Sequence, residues 1–405
     1  MVLNYIWREN SQSTTMGGMP KKFLPYAQQS VNTDDIQAVK KALKGDLITR
    51  GPLVEEFECE VAKFCGAEHA VLFNSGTSAL DAAGYAAKIN PHDRILTSPN
   101  TFVGTITGAV KRGAVPTFVD IDLATGNLDL EQLKLTMNRP STRGKEVLLP
   151  VHFAGIPVDM KTLARSIKDP DTVVIEDAAH ALGSVYRDGQ RVGCCAWSDM
   201  TVFSFHPAKH VTTGEGGCVL TNDPEFHKRL LLYRNNGIVK KEEDDPWMYD
   251  VTDITGNYHF TDIQAALGLS QLKRVDEFVE TRRKLVKAYR QQLSDLPFIT
   301  LVPEEYDTFA SYHIFALRIN FEELSLSRAE LMTKMHGKGI GTQVHYIPLY
   351  HHSFLNKNLA EYFPAMEEYY ATALTLPLHC NMDEKDVVRV CDALKQLCSS
   401  PTKTG

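Results

Sequence analysis

Between residues 70 and 221, short apolar runs alternate with helical patterns, and this alternation limits the chain to few architectures. The runs at 70–73, 94–98, 115–119, 147–151, 172–175, 200–205 and 218–221 are rich in strand-forming residues. Strands separated by helices predict an α/β domain with a seven-stranded, mostly parallel sheet and helices on both faces. Ligands of such sheets bind beyond the carboxyl ends of the strands. Residues 75–77, 98–102, 177–180 and 204–209 lie at those ends, so their side chains can converge on one edge.

One of these ends carries a lysine. Val202, Phe203 and Phe205 continue a strand, Pro207 stops it, and Thr212-Thr213-Gly214-Glu215-Gly216-Gly217 allows close backbone approach after Lys209. A solvated loop lysine is the ordinary alternative. Upstream, the strand 172–175 runs into Glu176-Asp177-Ala178-Ala179-His180, where an acid followed by two alanines leaves room for a flat ring. An amine that can bond to an aldehyde and a carboxylate that can keep a pyridine nitrogen protonated are the two groups that pyridoxal phosphate chemistry needs. A phosphate cradle is the third requirement. Asn74-Ser75-Gly76-Thr77-Ser78-Ala79-Leu80 follows a strand and opens a helix, aiming backbone N–H groups at an anion.

With these motifs the chain resembles the DegT/DnrJ/EryC1/StrS sugar aminotransferases, within the aspartate aminotransferase-like (type I) fold of pyridoxal phosphate enzymes. The resemblance runs from about residue 23 to about residue 398 and is carried by NSGTSAL at 74–80, SPNTFVGT at 98–105, EDAAHALGS at 176–184, FSFHPAKHVTTGEGG at 203–217 and GNYHFTDIQAALGLSQL at 256–272. SYHIF at 311–315, QVHYIPLY at 343–350 and LPLHCNM at 376–382 make it most similar to members that aminate UDP-4-keto-6-deoxy-N-acetyl sugars on the pseudaminic acid route.

The resemblance implies roles for individual residues. Lys209 is expected to hold the cofactor and shuttle the proton, and Asp177 to keep its ring nitrogen protonated. Gly76, Thr77 and Ser204 are expected at the phosphate, Phe102 and His180 beside the ring, and Asn257 at the phosphate of the partner subunit's site in a homodimer. Tyr26, Thr49, His345 and Tyr346 are expected at the sugar-nucleotide pocket, and L-glutamate as amino donor. Bland alternatives remain beside several of these: a core phenylalanine at 102, a satisfied core histidine at 180, and turn residues at 49 and 257. Many members have arginine where this chain has His259, which leaves open any ionic contact made there. A related branch performs 3-dehydration and has histidine at the lysine position, so the register of Lys209 against His210 matters. Relatives that use dTDP- or GDP-linked sugars share the core motifs, and a cofactor-binding regulator is the reading outside catalysis.

Composition narrows the remaining classes. Forty-three Lys and Arg against 50 Asp and Glu give a net charge of -7, which offers nucleic acid no electrostatic footing. No apolar run approaches the roughly 20 residues of a membrane span, and the polar first 22 residues do not read as a secretory signal. A cytoplasmic protein is expected. The eight cysteines show no zinc spacing and read as buried reduced thiols, and the His/Tyr cluster at 345–352 lacks metal-ligand pairing.

The chain is expected to divide into a disordered extension at 1–22, a large cofactor domain at 23–275 and a small α+β domain at 276–405. Thr33 is expected to cap a first helix that Gly45 ends, and 261–293 to form one long helix linking the domains. Strands at 312–319 and 342–346 and helices at 328–336 and 383–397 complete the tail.

Overall fold

A computed structural model describes residues 22–139, 144–241, 243, 245–355 and 359–398. Nearly all of the extension expected at 1–22, and part of the acidic run at 242–245, lie outside the described residues.

Seven strands form the main sheet: β1 (His69–Phe73), β2 (Arg94–Thr97), β3 (Pro116–Phe118), β4 (Glu146–Leu149), β5 (Val173–Asp177), β6 (Met200–Ser204) and β7 (Gly217–Thr221). Their order is β1-β7-β6-β5-β4-β2-β3. Strands β3, β2, β4, β5 and β6 pair in parallel, whereas β7 runs antiparallel to both β6 and β1. The expected seven-stranded, mostly parallel sheet is therefore present. Its two faces are apolar for the reason a parallel sheet must be: helices cover both. Val71, Phe73, Ile95, Val147, Ile175 and Val202 pack on one face, and Leu72, Leu96, Leu148, Val174, Phe203 and Phe205 on the other.

Strand periodicity sorts the chemistry onto these faces. Successive side chains in a strand alternate, so Asp177 shares a face with Ile175 while Glu176 lies behind the sheet with Val174. Ser204 likewise shares the face of Val202, opposite Phe203 and Phe205. The helices Gly76–Ala86 and Gly104–Lys111 pack closely together over that front face, with Gly84 and Gly108 at their contact. A Cβ on Gly108 would fall 2.8 Å from the Leu80 carbonyl oxygen, so only glycine permits this approach.

A separate two-stranded sheet pairs β8 (Ile238–Val239) antiparallel with β9 (Asp250–Val251). A second, antiparallel sheet joins β10 (Ile299–Thr300), β11 (Phe315–Ile319) and β12 (Ala373–Leu376), covered by the helices Arg328–Gly337 and Glu384–Cys398. The helix Val275–Leu293 spans two cores: Val275 and Val279 face the large sheet, and Leu285, Val286, Tyr289 and Leu293 face the small one. Among the described residues no helix is long and apolar enough to cross a membrane.

Five expectations need correction. The helix expected across 261–293 is two, Asp262–Leu272 and Val275–Leu293, because the chain breaks at Lys273-Arg274. The first helix is capped by Asn32 rather than Thr33: the Asn32 side chain accepts from the Asp35 N–H, and Asp35 reciprocates. That helix closes at Ala42, before Gly45. The strand expected at 342–346 reduces to a single bridge between Gln343 and Thr375. Cysteines are free, and Cys65, Cys194, Cys195, Cys218 and Cys391 are buried, but Cys59 is exposed.

Candidate active site

The front face at the carboxyl ends of β5 and β6 gathers a carboxylate, an amine and a helix start. Asp177 ends β5 and is buried. Its Oδ2 accepts the Thr105 hydroxyl at 2.6 Å and its Oδ1 accepts the Ala179 N–H at 3.1 Å. Thr105 is held in turn by the Thr101 hydroxyl, 2.6 Å away. Those bonds fix the carboxylate's orientation.

Lys209 sits in the loop that returns from β6 to β7. Phe205 and Gly216 close this loop through a backbone bond of 2.8 Å, and the Thr213 N–H reaches back to the Phe205 carbonyl. The amine is half-buried and enclosed by protein, which lowers its pKa from 10.5 to about 8, while the negative charge of Asp177 pulls the other way. Its neighbour His210 is directed elsewhere, bonding the Ser311 carbonyl at 3.0 Å.

Ser75 caps the helix Gly76–Ala86 through a capping box with Ser78. Its first turn presents the half-buried Gly76 and the exposed Thr77 to the same edge. A Cβ on Gly76 would lie 2.8 Å from the Ser204 Cβ, and one on Gly217 would lie 2.6 Å from the Gly76 Cα, so the helix start is pressed against the ends of β6 and β7. Phe102 is 58% exposed and lies with Thr77 around Gly104, whose added Cβ would meet both within 3.3 Å. Its exposure removes the core-phenylalanine alternative.

From Lys209 a series of rings leads outward. The His313 Nε2 is 3.5 Å from the Lys209 Nζ, and the His313 and His180 ring centres are 4.4 Å apart. His180 accepts the Ala154 N–H at Nδ1 and pairs through Nε2 with the Tyr346 hydroxyl at 3.1 Å. His345 stands edge-on to Tyr346, and Tyr26 lies 5.7 Å from His345. Burial first, and the Lys209 charge second, hold His180 well below the ordinary imidazole range and bring His345 down to about 3. Neutral imidazoles therefore line the space next to the amine.

Two expected residues stand apart from this group. Thr49 is exposed and bridges to Thr261, and Asn257 is exposed with its side-chain oxygen accepting the His259 N–H at 3.2 Å. Both lie in adjoining outer segments, beside the helix start that Asn74 shares through its bond to the Tyr258 carbonyl. His259 bonds Asn235, and burial followed by the charges of Arg50 and Arg234 lowers its pKa, so it brings no fixed positive charge where an arginine would.

Behind the sheet, Glu176 is fully enclosed. The His152 Nε2 and the hydroxyls of Tyr186, Ser198 and Thr201 all point at its carboxylate. Desolvation alone would raise its pKa, but these bonds and the His152 charge lower it.

A family profile for DegT/DnrJ/EryC1/StrS aminotransferases matches residues 29–395. The chain belongs to that family. It is 35% identical over 372 residues to the UDP-4-amino-4,6-dideoxy-N-acetyl-beta-L-altrosamine transaminase of Campylobacter jejuni, covering 92% of this chain and 96% of that one. Among solved structures it is similar to Helicobacter pylori PseC, an aminotransferase involved in the biosynthesis of pseudoaminic acid, with a TM-score of 0.84, 29% identity, and coverage of 94% and 100%. It is also similar to the PLP form of the sugar aminotransferase Spr1654 of Streptococcus pneumoniae, with a TM-score of 0.83, 26% identity, and coverage of 93% and 98%. The chain is thus a pyridoxal phosphate-dependent sugar aminotransferase of type I fold.

The residues present in this aminotransferase fit the cofactor. A glycine cradle without room for a side chain, a helix start, an oriented carboxylate, an exposed aromatic and an amine of lowered pKa meet at one edge. Sequence reasoning missed Thr101, Thr105, Asn100 and His313. Asn100 is fully buried, and its Oδ1 accepts the Tyr346 N–H at 3.1 Å, tying the 98–102 turn to the ring series. The signal for Asn100, Thr101 and Thr105 was their place inside SPNTFVGT, and for His313 its place inside SYHIF.

Proposed function

We propose that this enzyme transfers an amino group from L-glutamate to C4 of a UDP-4-keto-6-deoxy-N-acetyl sugar, for pseudaminic acid-type surface sugars, with Lys209 as its catalytic amine. The observation that carries the substrate is the 35% identity, over 92% of the chain, to a transaminase named for such a sugar. The carrying observation for the amine is its enclosure beside Asp177, with His210 turned away to Ser311. That orientation favours amination over 3-dehydration.

Pyridoxal phosphate, when bound, supplies the electron sink that makes the donor's Cα–H acidic. Lys209 takes that proton and returns it on the far side of the reaction. With a pKa of about 8 it is present in both forms near neutral pH, which suits an acid that is also a base. Asp177, aligned by Thr105, holds the ring nitrogen's proton. The N–H groups of the helix start, with Thr77 and Ser204, bind the phosphate, and Gly76 lets it approach. Phe102 and His180 would hold the ring.

Tyr26, His345 and Tyr346 bind the sugar nucleotide at the outer end of the ring series. Thr49 lines the entrance, and Asn257 serves the site of a second copy. Support for a homodimer comes from apolar side chains exposed on the same outer segments, among them Leu47, Ile48, Trp247 at 74% and Ile254 at 89%. A cytoplasmic setting is in keeping with eight free cysteines.

The test has two arms. Borohydride reduction of the holoenzyme followed by peptide mapping is expected to leave the pyridoxyl group on Lys209; a label on any other residue overturns the assignment. A panel of 4-ketosugar nucleotides with glutamate is expected to yield amine from the UDP-N-acetyl compound. Amine from a dTDP- or GDP-linked sugar alone would replace the substrate.

A further inference from the structure

We propose that His313 is a positioning residue for Lys209: its Nε2 accepts a hydrogen bond from the lysine amine whenever that amine is not bonded to the cofactor. The inference rests on the reading of Lys209 as the catalytic amine. Between the two halves of the reaction that amine must stay within reach of the site, and a free lysine chain would otherwise swing. His313 is the one side chain whose hydrogen bond to the Lys209 Nζ is present among the described residues, at 3.5 Å.

Three features fix the His313 backbone, from which the imidazole projects. The His313 N–H bonds the Ala154 carbonyl at 2.9 Å. Its carbonyl accepts the guanidinium of Arg282 at 3.0 Å, and Arg282 also donates to the carbonyls of Tyr312 and Leu378 while fully buried. Tyr312, the residue before it, has a φ of 52°, a left-handed conformation that costs a non-glycine residue of this size. Its side chain is tied down by Asp307 and Arg290. A strained residue and a buried cation thus serve to aim one imidazole at one amine.

The direction of the bond follows from the surroundings. His180, His210, Arg282 and Lys209 face the imidazole, Asp177 faces the lysine, and the ring is buried, so it stays neutral. A neutral ring has one lone pair, and an ammonium has only protons to offer. Nε2 therefore accepts, and the ring proton sits on Nδ1, the atom buried without a partner. That orphaned N–H is a cost with no structural return, which is what a residue kept for its other nitrogen would show.

The test follows the pH dependence of Lys209 acetylation by trace acetic anhydride in the full-length, cofactor-free chain, read by peptide mass spectrometry. The wild-type midpoint is expected near pH 8. Removing the acceptor in His313→Phe is expected to lower the midpoint by about one pH unit, and His313→Asn, which keeps an acceptor, to hold it within about 0.3. An unchanged midpoint in His313→Phe, or equal shifts in both variants, overturns the proposal. Should the phenylalanine variant not fold, nitrogen-15 spectra of histidine-labelled wild-type protein decide: an unprotonated Nε2 at His313 supports the proposal and a protonated one overturns it. Reduction with pyridoxal phosphate and borohydride on the same samples separates the two readings, because a label on Lys209 with no shift in midpoint sinks only the role of His313.

Discussion

Glu176 and Asp177, adjacent at the end of one strand, face opposite sides of the sheet: Asp177 accepts the Thr105 hydroxyl at the front, and Glu176 is surrounded at the back by His152, Tyr186, Ser198 and Thr201. Strand alternation alone separates a front carboxylate on the side of Lys209 from one that fastens the sheet to its rear layer.

Asp177→Asn is expected to lower the rate of 2-oxoglutarate formation from glutamate by about 10²-fold or more, because an amide cannot hold the ring nitrogen protonated. Thr105→Val removes one hydrogen bond to the carboxylate and is expected to cost about tenfold, through kcat more than KM. Equal losses in the two variants would show that the hydroxyl does more than orient the acid.

Glu176→Gln places amide hydrogens among groups that are already donors and is expected to destabilise the fold by about 2–4 kcal/mol, measured by urea unfolding. The folded pKa of Glu176 is lowered, so its contribution is present above its unfolded value of 4.5 and is lost as pH falls through the lower folded value. The variant's stability should accordingly depend less on pH below about 4.5 than the wild type's.

Lys209 has the same sign in a more alkaline window. Between pH 10.5 and about 8 the unfolded chain holds a proton that the folded chain has released, so this group makes stability rise with pH across that window. Urea midpoints of cofactor-free protein between pH 7 and 10 should climb less in Lys209→Met than in wild type. Parallel curves would mean that the amine is not desolvated.

Gly76→Ala forces a methyl group to 2.8 Å from the Ser204 Cβ and is expected to destabilise the protein by about 1–3 kcal/mol. The same shift moves the helix start off the phosphate, so the Kd for pyridoxal phosphate should rise at least tenfold by fluorescence titration. An alanine variant with unchanged cofactor affinity would place the phosphate elsewhere.

Much of the fold was legible because a covered parallel sheet writes its strands as apolar runs, and all seven were found with ends displaced by a residue or two. The break after Leu272 was not, since Lys273 and Arg274 suit a helix as well as a gap. Asn32 and Thr33 are both good caps, and only the reciprocal bond with Asp35 chooses between them. In the site, Lys209, Asp177 and the helix start announce themselves through local motifs. Thr105 and His313 act on partners 72 and 104 residues away, so the motifs that contain them mark the segments without showing which side chain each one meets.

Lys209 rides on a loop whose two feet, Ser204 and Gly217, are paired neighbours in the sheet. The path of the backbone that carries the amine is consequently a property of one hairpin, set by a short circuit of chain, and His313 meets the amine from outside it, 3.5 Å away. Circular permutants with new termini in the outer loops should keep that path, because none of them cuts the chain between the two feet.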